Sequence, residues 1–300
     1  MTIRFDGRVA IVTGAGNGLG RRYALDLAAR GAKVVVNDLG GARDGSGGGV
    51  SAAQAVVDEI VAAGGEAIAN SASVTDEAGV AAMVAEARAR WGRIDILINN
   101  AGILRDRTFT KMTLEDFRAV LDVHLMGSVI CTKAVWDGMR EAGYGRILMT
   151  TSSTGLYGNF GQSNYGAAKL ALVGFMKTLS LEGAKYNVRV NSIAPVAATR
   201  MTEDLPIPPE IMAKIGPETV SPAALFLVSE EAPTSMVMNA GGGGFAAAHV
   251  TLTRGISVGA DQLSPETVAA HLDAIRDRAG ETVPETGAAQ LQGALTAPRA

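Results

Sequence analysis

Short apolar runs alternate with amphipathic stretches along most of the chain. Six runs rich in β-branched and apolar residues predict strands: RVAIVT (8–13), KVVVND (33–38), EAIANS (66–71), IDILINN (94–100), RILMTTS (146–152) and VRVNSIA (188–194). The stretches between them, such as 21–30 and 52–64, carry apolar residues at three- and four-residue spacing, which predicts helices. Alternating strands and helices form right-handed βαβ units around a parallel sheet, and nearly continuous apolar runs indicate a sheet covered on both faces. The pattern predicts a doubly wound α/β fold.

Two segments depart from this alternation. LGGARDGSGGGVS (39–51) is a glycine-rich loop, longer than most connections of its kind and therefore expected to be functional or mobile. The pattern loosens after about residue 240, apart from an amphipathic helix predicted over 264–277, and the last twenty or so residues are expected to fray. We therefore predict one domain over 3–240 and an extension over 241–300 that packs on this domain or on a partner subunit.

Composition and charge narrow the class of protein. The 300 residues are 47% hydrophobic, with a net charge of −3 and no block of like charge, which argues against nucleic acid or an anionic membrane as the main partner. The single cysteine, Cys131, excludes an internal disulfide and is interpreted as a small buried hydrophobe. The N-terminus MTIRFDGRVA has no apolar leader stretch, charges interrupt the later apolar runs, and we expect a cytoplasmic protein without membrane insertion.

A glycine cluster stands between the first strand and the first helix. TGAGNGLG (13–20) fits G-x-x-x-G-x-G with Gly14, Gly18 and Gly20, a turn in which the backbone can approach a pyrophosphate at a helix N-terminus. A plain tight turn is the alternative, and the position between strand and helix favours the dinucleotide site. Asp38 ends the second strand and can accept hydrogen bonds from the ribose hydroxyls of adenosine, although it could also simply start a turn. Because position 17 is Asn and the glycine turn has no cation, we predict NAD rather than NADP.

The stretch SNYGAAK places Tyr165 and Lys169 one helical turn apart on one face. A tyrosine has a pKa near 10, so its phenolate is scarce at neutral pH. An ammonium roughly 4 Å away, at an effective dielectric constant of about 20, attracts it by at most about 4 kcal/mol, or about three pKa units. We therefore expect Lys169 to lower the pKa of Tyr165 and make it a general base or acid near physiological pH.

Ser152 is predicted to close the fifth strand, where its hydroxyl could hydrogen-bond a reacting oxygen. Polar residues, a glycine and a proline also fall at the carboxyl ends of other predicted strands. These ends form the edge at which doubly wound sheets bind ligands. The whole set is Gly14, Asp38, Asn99, Ser152 and Pro195.

These motifs, with NNAG (99–102) and NSIAP (191–195), resemble in order and spacing those of the short-chain dehydrogenase/reductases. The resemblance implies a Rossmann-like fold, an NAD cofactor, no metal, and Ser152, Tyr165 and Lys169 as the catalytic set. It further implies that NNAG lines the adenine side and braces the sheet, and that Thr199 lies near the nicotinamide amide. The cofactor-binding residues that we predict are Gly14, Asn17, Gly18, Leu19, Gly20, Asp38, Ser73, Val74, Asn100, Ala101, Gly102, Tyr165, Lys169, Pro195 and Thr199.

One position departs from the general family pattern. VHLMG (123–127) has His124 where the family usually has an asparagine that helps to hold a proton-relay water beside the lysine. Imidazole can also donate and accept, so we include His124 among the candidate catalytic residues. The alternative is a buried histidine that is only hydrogen-bonded.

A closer resemblance is to the (3R)-hydroxyacyl-CoA dehydrogenase units of peroxisomal multifunctional enzymes, as a stand-alone form, on the stretches VVVNDLGGARDGSGGG, NNAGILRDRTF, VHLMGS and IAPVAATRMT. It implies oxidation of a 3-hydroxyacyl-CoA to a 3-oxoacyl-CoA. The alternatives are a 17β-hydroxysteroid dehydrogenase, a 3-oxoacyl carrier-protein reductase, which Asp38 disfavours, and an NAD-binding scaffold without turnover. Helices around 113–141 and 162–183 resemble those of family dimers, so a homodimer or homotetramer is expected, and 201–209 corresponds to the substrate loop.

Overall fold

Eight strands form one sheet in the residues that the computed structural model describes, 2–198 and 208–299. Their order across the sheet is β3-β2-β1-β4-β5-β6-β7-β8, and the pairs from β3 to β7 are all parallel. The strands are β1 (Val9–Thr13), β2 (Lys33–Asn37), β3 (Glu66–Asn70), β4 (Ile96–Asn99), β5 (Gly145–Thr150), β6 (Val188–Pro195), β7 (Val237–Gly241) and β8 (Gly244–Ala248). The predicted doubly wound, Rossmann-like fold is confirmed, and the first six strands are those that the apolar runs predicted.

Helices connect the strands and continue beyond them. The helices are α1 (Gly18–Ala29), α2 (Ser51–Ala62), α3 (Glu77–Trp91), α4 (Leu114–Leu121), α5 (Gly127–Glu141), α6 (Ser153–Tyr157), α7 (Ser163–Gly183), α8 (Pro209–Met212), α9 (Ser221–Leu227), α10 (Pro265–Ala270), α11 (Leu272–Arg276) and α12 (Gly287–Thr296). The buried faces of α1, α2, α5, α7 and α9 pack against the central strands, whose apolar side chains are almost completely shielded from solvent.

The chain divides into two compact units, Met1–Ala247 and Ala248–Ala300. The prediction missed β7 and β8, because their sequences VMNAG and GFAAA are rich in glycine and alanine, which are poor strand signals. The helix predicted over 264–277 is divided into α10 and α11 at His271. The predicted boundary at residue 240 lies within β7, and the expected fraying of the last residues stays a prediction.

Parallel pairing brings the carboxyl ends of the strands to one edge of the sheet. Asp38 follows β2 directly, and the segment that leads to Tyr165 follows β5. The prediction that Ser152 closes β5 is wrong, because this strand ends at Thr150. Ser152 instead caps the N-terminus of α6, where its Oγ accepts a hydrogen bond from the N–H of Thr154 at 3.1 Å.

A long helical segment, Leu114–Glu141, runs beside the sheet and is interrupted by one wide turn. Thr113 caps its start by accepting from the N–H of Asp116, and residues Asp122–Met126 form a π-helical turn between α4 and α5. The segment is long and apolar enough to cross a membrane by length and composition. Its apolar composition has another explanation here, because α5 packs its buried side chains against β4, β5 and α3. The wide turn places His124 inside the protein.

We expect Leu148→Ala to destabilise the protein by about 2–5 kcal/mol, because Leu148 is fully buried in β5 and its loss leaves a cavity in the centre of the sheet. Denaturant unfolding followed by circular dichroism measures this change. Leu114→Ala is the matched control, since Leu114 is 70% exposed at the start of α4 and should change stability by less than about 1 kcal/mol. Equal losses in the two variants would contradict the assignment of the core.

Candidate active site

Hydrogen bonds of Thr13 and Asn100 hold the glycine turn after β1 against the segment after β4. Thr13 Oγ1 accepts from the N–H groups of Asn100 and Ala101 at 3.0 and 3.1 Å, and Asn100 Nδ2 donates to the carbonyls of Thr13 and Gly14 at 3.0 Å each. Gly14 has φ +62°, and a Cβ there would lie 2.8 Å from Ala101 Cα. Asn100 therefore braces the turn, and the first helix begins with its N–H groups at the cavity edge.

Asp38 joins two loops at the end of β2. Its Oδ2 accepts from the N–H of Gly16, and its Oδ1 accepts from the N–H of Gly40, both at 2.7 Å. Each carboxylate oxygen keeps lone-pair capacity for a hydroxyl donor. The two interpretations that the sequence left open are therefore compatible, because Asp38 starts a turn and also presents its carboxylate to the cavity.

A cavity of about 680 Å³ opens along this edge of the sheet. It is lined by ten of the predicted cofactor-binding residues: Gly14, Asn17, Gly18, Leu19, Asp38, Ser73, Val74, Asn100, Ala101 and Gly102. The combination of a glycine cradle, a helix N-terminus and a carboxylate fits the adenosine and pyrophosphate of a dinucleotide.

Four described members of the predicted set do not line this cavity. Gly20 is buried in α1, where a Cβ would overlap the carbonyl of Gly14, so it serves close packing. Pro195 ends β6, and Tyr165 and Lys169 lie on α7. Thr199 and most of the predicted substrate loop lie outside the described residues.

Lys169 is buried at the end of β5. It is 3% exposed, its Nζ donates to the carbonyl of Thr150 at 2.6 Å, and Nζ lies 5.4 Å from the centre of the Tyr165 ring. The close approach of α6 requires Gly155, since a Cβ there would lie 2.7 Å from Lys169 Cβ. Burial lowers the pKa of Lys169 to about 7.

The predicted direction of the Tyr165 pKa shift is wrong for the protein on its own. Burial raises the pKa of this phenol, a hydrogen bond with Ser152 lowers it, and the nearby carboxylate of Asp106 raises it. The Tyr165–Lys169 spacing predicts only the attraction of the ammonium, whereas desolvation penalises the phenolate in a partly buried site. Burial also disfavours the protonated form of Lys169, so its positive charge alone does not offset the desolvation of the phenolate.

His124, on the π-helical turn, packs against Tyr165. The two rings are 5.2 Å apart in an edge-to-face arrangement, and His124 Nε2 lies 3.1 Å from the N and 2.8 Å from the O of Ile103. Burial and the charge of Lys169 hold the pKa of His124 well below its usual value, so the ring is neutral at physiological pH. Its buried Nδ1 has no hydrogen-bond partner among the described residues.

The sequence did not indicate a polar chain that supports the catalytic groups. Thr154 Oγ1 donates to Gln162 Oε1 at 2.9 Å, and Gln162 Nε2 donates to Asp106 Oδ2 at 2.7 Å. Asn164 Nδ2 donates to the carbonyl of Arg105 at 3.0 Å. The chain thus ties the cap of Ser152 and the first turn of α7 to the segment after β4. Because these residues are far apart in sequence, no spacing signal could have found them.

The comparison with family models decides the class of protein. Residues 8–207 match the short chain dehydrogenase family. The chain belongs to this family. It is an oxidoreductase, and the fold and the order of its motifs are those that the family resemblance implied.

Two relatives of this dehydrogenase are similar over most of the chain. A protein of Mycobacterium tuberculosis named as a short-chain type dehydrogenase/reductase is 54% identical over 79% of this chain and 82% of its own length. The mouse peroxisomal multifunctional enzyme type 2 is also 54% identical, over 76% of this chain, and the match covers 30% of the larger protein.

Two solved structures are also similar. Full-length peroxisomal multifunctional enzyme type 2 from Drosophila melanogaster has a TM-score of 0.81 at 36% identity, covering 98% of this chain and 49% of that one. A 7α-hydroxysteroid dehydrogenase in complex with NADH and 7-oxo glycochenodeoxycholic acid has a TM-score of 0.71 at 32% identity, covering 80% and 95%. The predicted family and its peroxisomal relatives are confirmed.

We expect Gly102→Ala to destabilise this dehydrogenase by about 1–3 kcal/mol, because the new Cβ would overlap the His124 ring, with Nδ1 only 2.9 Å away. The double variant Gly102→Ala/His124→Ala should lose less than the sum of the two single variants, since the obstructing ring is gone. Denaturant unfolding of the four proteins measures the coupling. Additive losses would show that His124 does not pack on Gly102 as described.

We expect Asp106→Asn to move the rising limb of the pH profile for alcohol oxidation to lower pH. The carboxylate raises the pKa of Tyr165, so its removal favours the phenolate that accepts the proton, while the amide oxygen can still accept from Gln162. The measurement is kcat/KM against pH. Asp137→Asn, at an exposed site on α5, is the control and should leave the limb in place. A shift to higher pH would contradict the role assigned to Asp106.

Proposed function

We propose that this dehydrogenase uses NAD to interconvert a (3R)-3-hydroxyacyl-CoA and a 3-oxoacyl-CoA, in the oxidation of fatty acids or of steroid side chains. The observation that carries the proposal is that Tyr165 contacts both Ser152 and Lys169 at the sheet edge that also holds the glycine-lined cavity. The substrate class is supported by the similarity to peroxisomal multifunctional enzymes.

Each catalytic side chain has a distinct task in this reaction. Tyr165 removes the proton from the substrate hydroxyl during oxidation and returns it during ketone reduction. The Oγ of Ser152 accepts from Thr154 N–H, and its single O–H, which hydrogen-bonds Tyr165 in the protein on its own, would donate to the reacting oxygen when substrate binds. Bound NAD supplies the hydride acceptor. Lys169 stabilises the phenolate and exchanges the proton with solvent.

His124 is proposed to take part in this proton exchange. Its buried Nδ1 has no hydrogen-bond partner among the described residues, and the charge of Lys169 lowers the pKa of the ring. A water held between an imidazole nitrogen and the lysine would satisfy both groups. A neutral ring can donate or accept at that nitrogen, depending on its tautomer.

The preference for NAD rests on Asp38. Its carboxylate faces the cavity with both oxygens oriented by backbone N–H groups, so it can accept from ribose hydroxyls and would repel a 2′-phosphate. The solved structure of the similar 7α-hydroxysteroid dehydrogenase contains NADH, which supports the same cofactor class.

A homodimer or homotetramer is part of the proposal. The outer face of α7 exposes Ala167, Leu170, Gly174, Thr178 and Leu181 at helical spacing. A stripe of small and apolar residues on a long exposed helix is typical of a surface on which a second helix packs closely. Sedimentation of the purified chain would measure the assembly.

A second candidate substrate is a steroid alcohol, because one similar structure holds a bile-acid ketone. Incubation with (3R)-3-hydroxybutyryl-CoA, its (3S) isomer or estradiol, each with NAD or NADP, distinguishes the alternatives through NADH or NADPH absorbance. We expect turnover of the (3R) thioester with NAD. Turnover of estradiol alone would replace the proposed substrate, and absence of turnover with every pair would overturn the proposal.

We expect Tyr165→Phe to lower kcat/KM by about 10²–10⁴-fold, because the phenol that transfers the proton is lost. Tyr186→Phe is the matched control: Tyr186 lies just beyond the far end of α7, where its hydroxyl accepts from Arg140, and its removal should leave turnover unchanged. NAD binding, measured by fluorescence titration, should persist in both variants. Unchanged turnover in Tyr165→Phe would exclude the catalytic assignment.

A further inference from the structure

A second cavity, of about 630 Å³, lies beside the dinucleotide cavity and shares Ala42, Arg43 and Arg105 with it. Its walls come from the loop after Asp38, from the segment after β4 and from α4. The lining residues are Ala42, Arg43, Asp44, Leu104, Arg105, Asp106, Arg107 and Asp116. Three of these eight are arginines, in a protein whose overall charge is slightly negative.

Each carboxylate of this cavity has one hydrogen-bonded oxygen, and the other oxygen of Asp106, Oδ1, is buried without a partner among the described residues. Asp116 Oδ1 accepts from Arg105 Nη1 at 3.1 Å, and Asp106 Oδ2 accepts from Gln162 Nε2 at 2.7 Å. Asp44 Oδ1 accepts from the N–H and the hydroxyl of Ser46 at 2.9 and 2.7 Å. These bonds connect the carboxylates to neighbouring wall residues and hold the walls in place.

Arg107 differs from them. It is exposed, its Nη1 donates to the carbonyl of Asp106 at 2.9 Å, and no carboxylate pairs with it among the described residues. Arg105 is fixed beside it, because its Nε donates to the carbonyl of Asp44 and its Nη1 binds Asp116. Of these two neighbouring arginines, Arg105 has an oriented guanidinium and Arg107 has no ionic partner among the described residues.

The wall also has a defined position relative to the catalytic helix. The N–H of Arg107 donates to the carbonyl of Gly161 at 3.0 Å, and its backbone bridges to Gln162, three residues before Tyr165. On the other side, the N–H of Leu104 donates to the carbonyl of Arg43 at 3.0 Å. A ligand held by these arginines lies next to the reaction centre and outside the cradle of the glycine turn.

We propose that this arginine-lined cavity binds the phosphorylated nucleotide end of the CoA thioester, while the acyl end reaches Tyr165 through the flexible pantetheine arm. The inference rests on the proposed function for the identity of the substrate. Guanidinium groups bind phosphate oxygens through paired N–H donors, and a CoA thioester carries three phosphate groups at the end opposite its reacting carbons.

The test compares two substrates with the same reacting carbons. The first is (3R)-3-hydroxybutyryl-CoA, and the second is the (3R)-3-hydroxybutyryl thioester of N-acetylcysteamine, which has no phosphate. For Arg107→Ala we expect KM for the CoA thioester to rise about tenfold, with kcat unchanged. KM for the N-acetylcysteamine thioester and for NAD should not change.

Controls separate this role from a structural one. Arg118→Ala removes an exposed arginine of α4 that does not line the cavity, and it should leave every KM unchanged. Arg107→Lys keeps the charge without the paired donors and should recover part of the affinity. Calorimetric titration with CoA alone, in the presence of NAD, should show the same loss in Arg107→Ala.

The outcomes are distinguishable. Equal effects on both thioesters, or unchanged KM and CoA binding in Arg107→Ala, would overturn the inference while turnover of the N-acetylcysteamine thioester leaves the proposed function intact. If neither thioester is oxidised, the proposed function fails, and the CoA titration still decides whether the cavity binds the nucleotide.

Discussion

The side chain of Lys169 crosses from α7 to the end of β5 and donates to the carbonyl of Thr150 in an almost dry environment. Thr151 makes the reverse connection, because its Oγ1 donates to the carbonyl of Lys169 at 2.7 Å. Together with the close approach permitted by Gly155, these bonds fix where α7 passes the sheet edge. Tyr165 is placed as a consequence, since it lies one turn earlier on the same face.

Burial disfavours the charged form of both Tyr165 and Lys169, so it shifts their pKa values in opposite directions. It raises the pKa of Tyr165 and lowers that of Lys169 to about 7, so the protein on its own favours a neutral phenol beside a weakly basic amine. This state is ready to donate a proton to a ketone. Alcohol oxidation needs the phenolate, and the positive charge of an oxidised nicotinamide is the kind of group that would favour it.

Much of the fold and of the site followed from local patterns. The six apolar runs predicted strands because parallel strands covered on both faces must be apolar throughout, and the TGAGNGLG turn was identified by its place between strand and helix. The Tyr165 pKa could not be predicted, because desolvation depends on how deeply the side chain is buried, and the carboxylate of Asp106 approaches from a segment about sixty residues away. Ser152 was misplaced by two residues, because a strand end and a helix cap both favour serine.

The two cavities share Arg43 and Arg105 in their walls, so a substitution at either arginine can affect the ligands of both cavities. Asp38 orients the N–H of Gly40, and the same loop continues to Arg43, whose carbonyl supports Leu104. A change at Arg43 therefore disturbs a wall common to both sites. Arg107 lines only the second cavity and is anchored to the catalytic helix through Gly161, so its effects can be assigned to the substrate side alone.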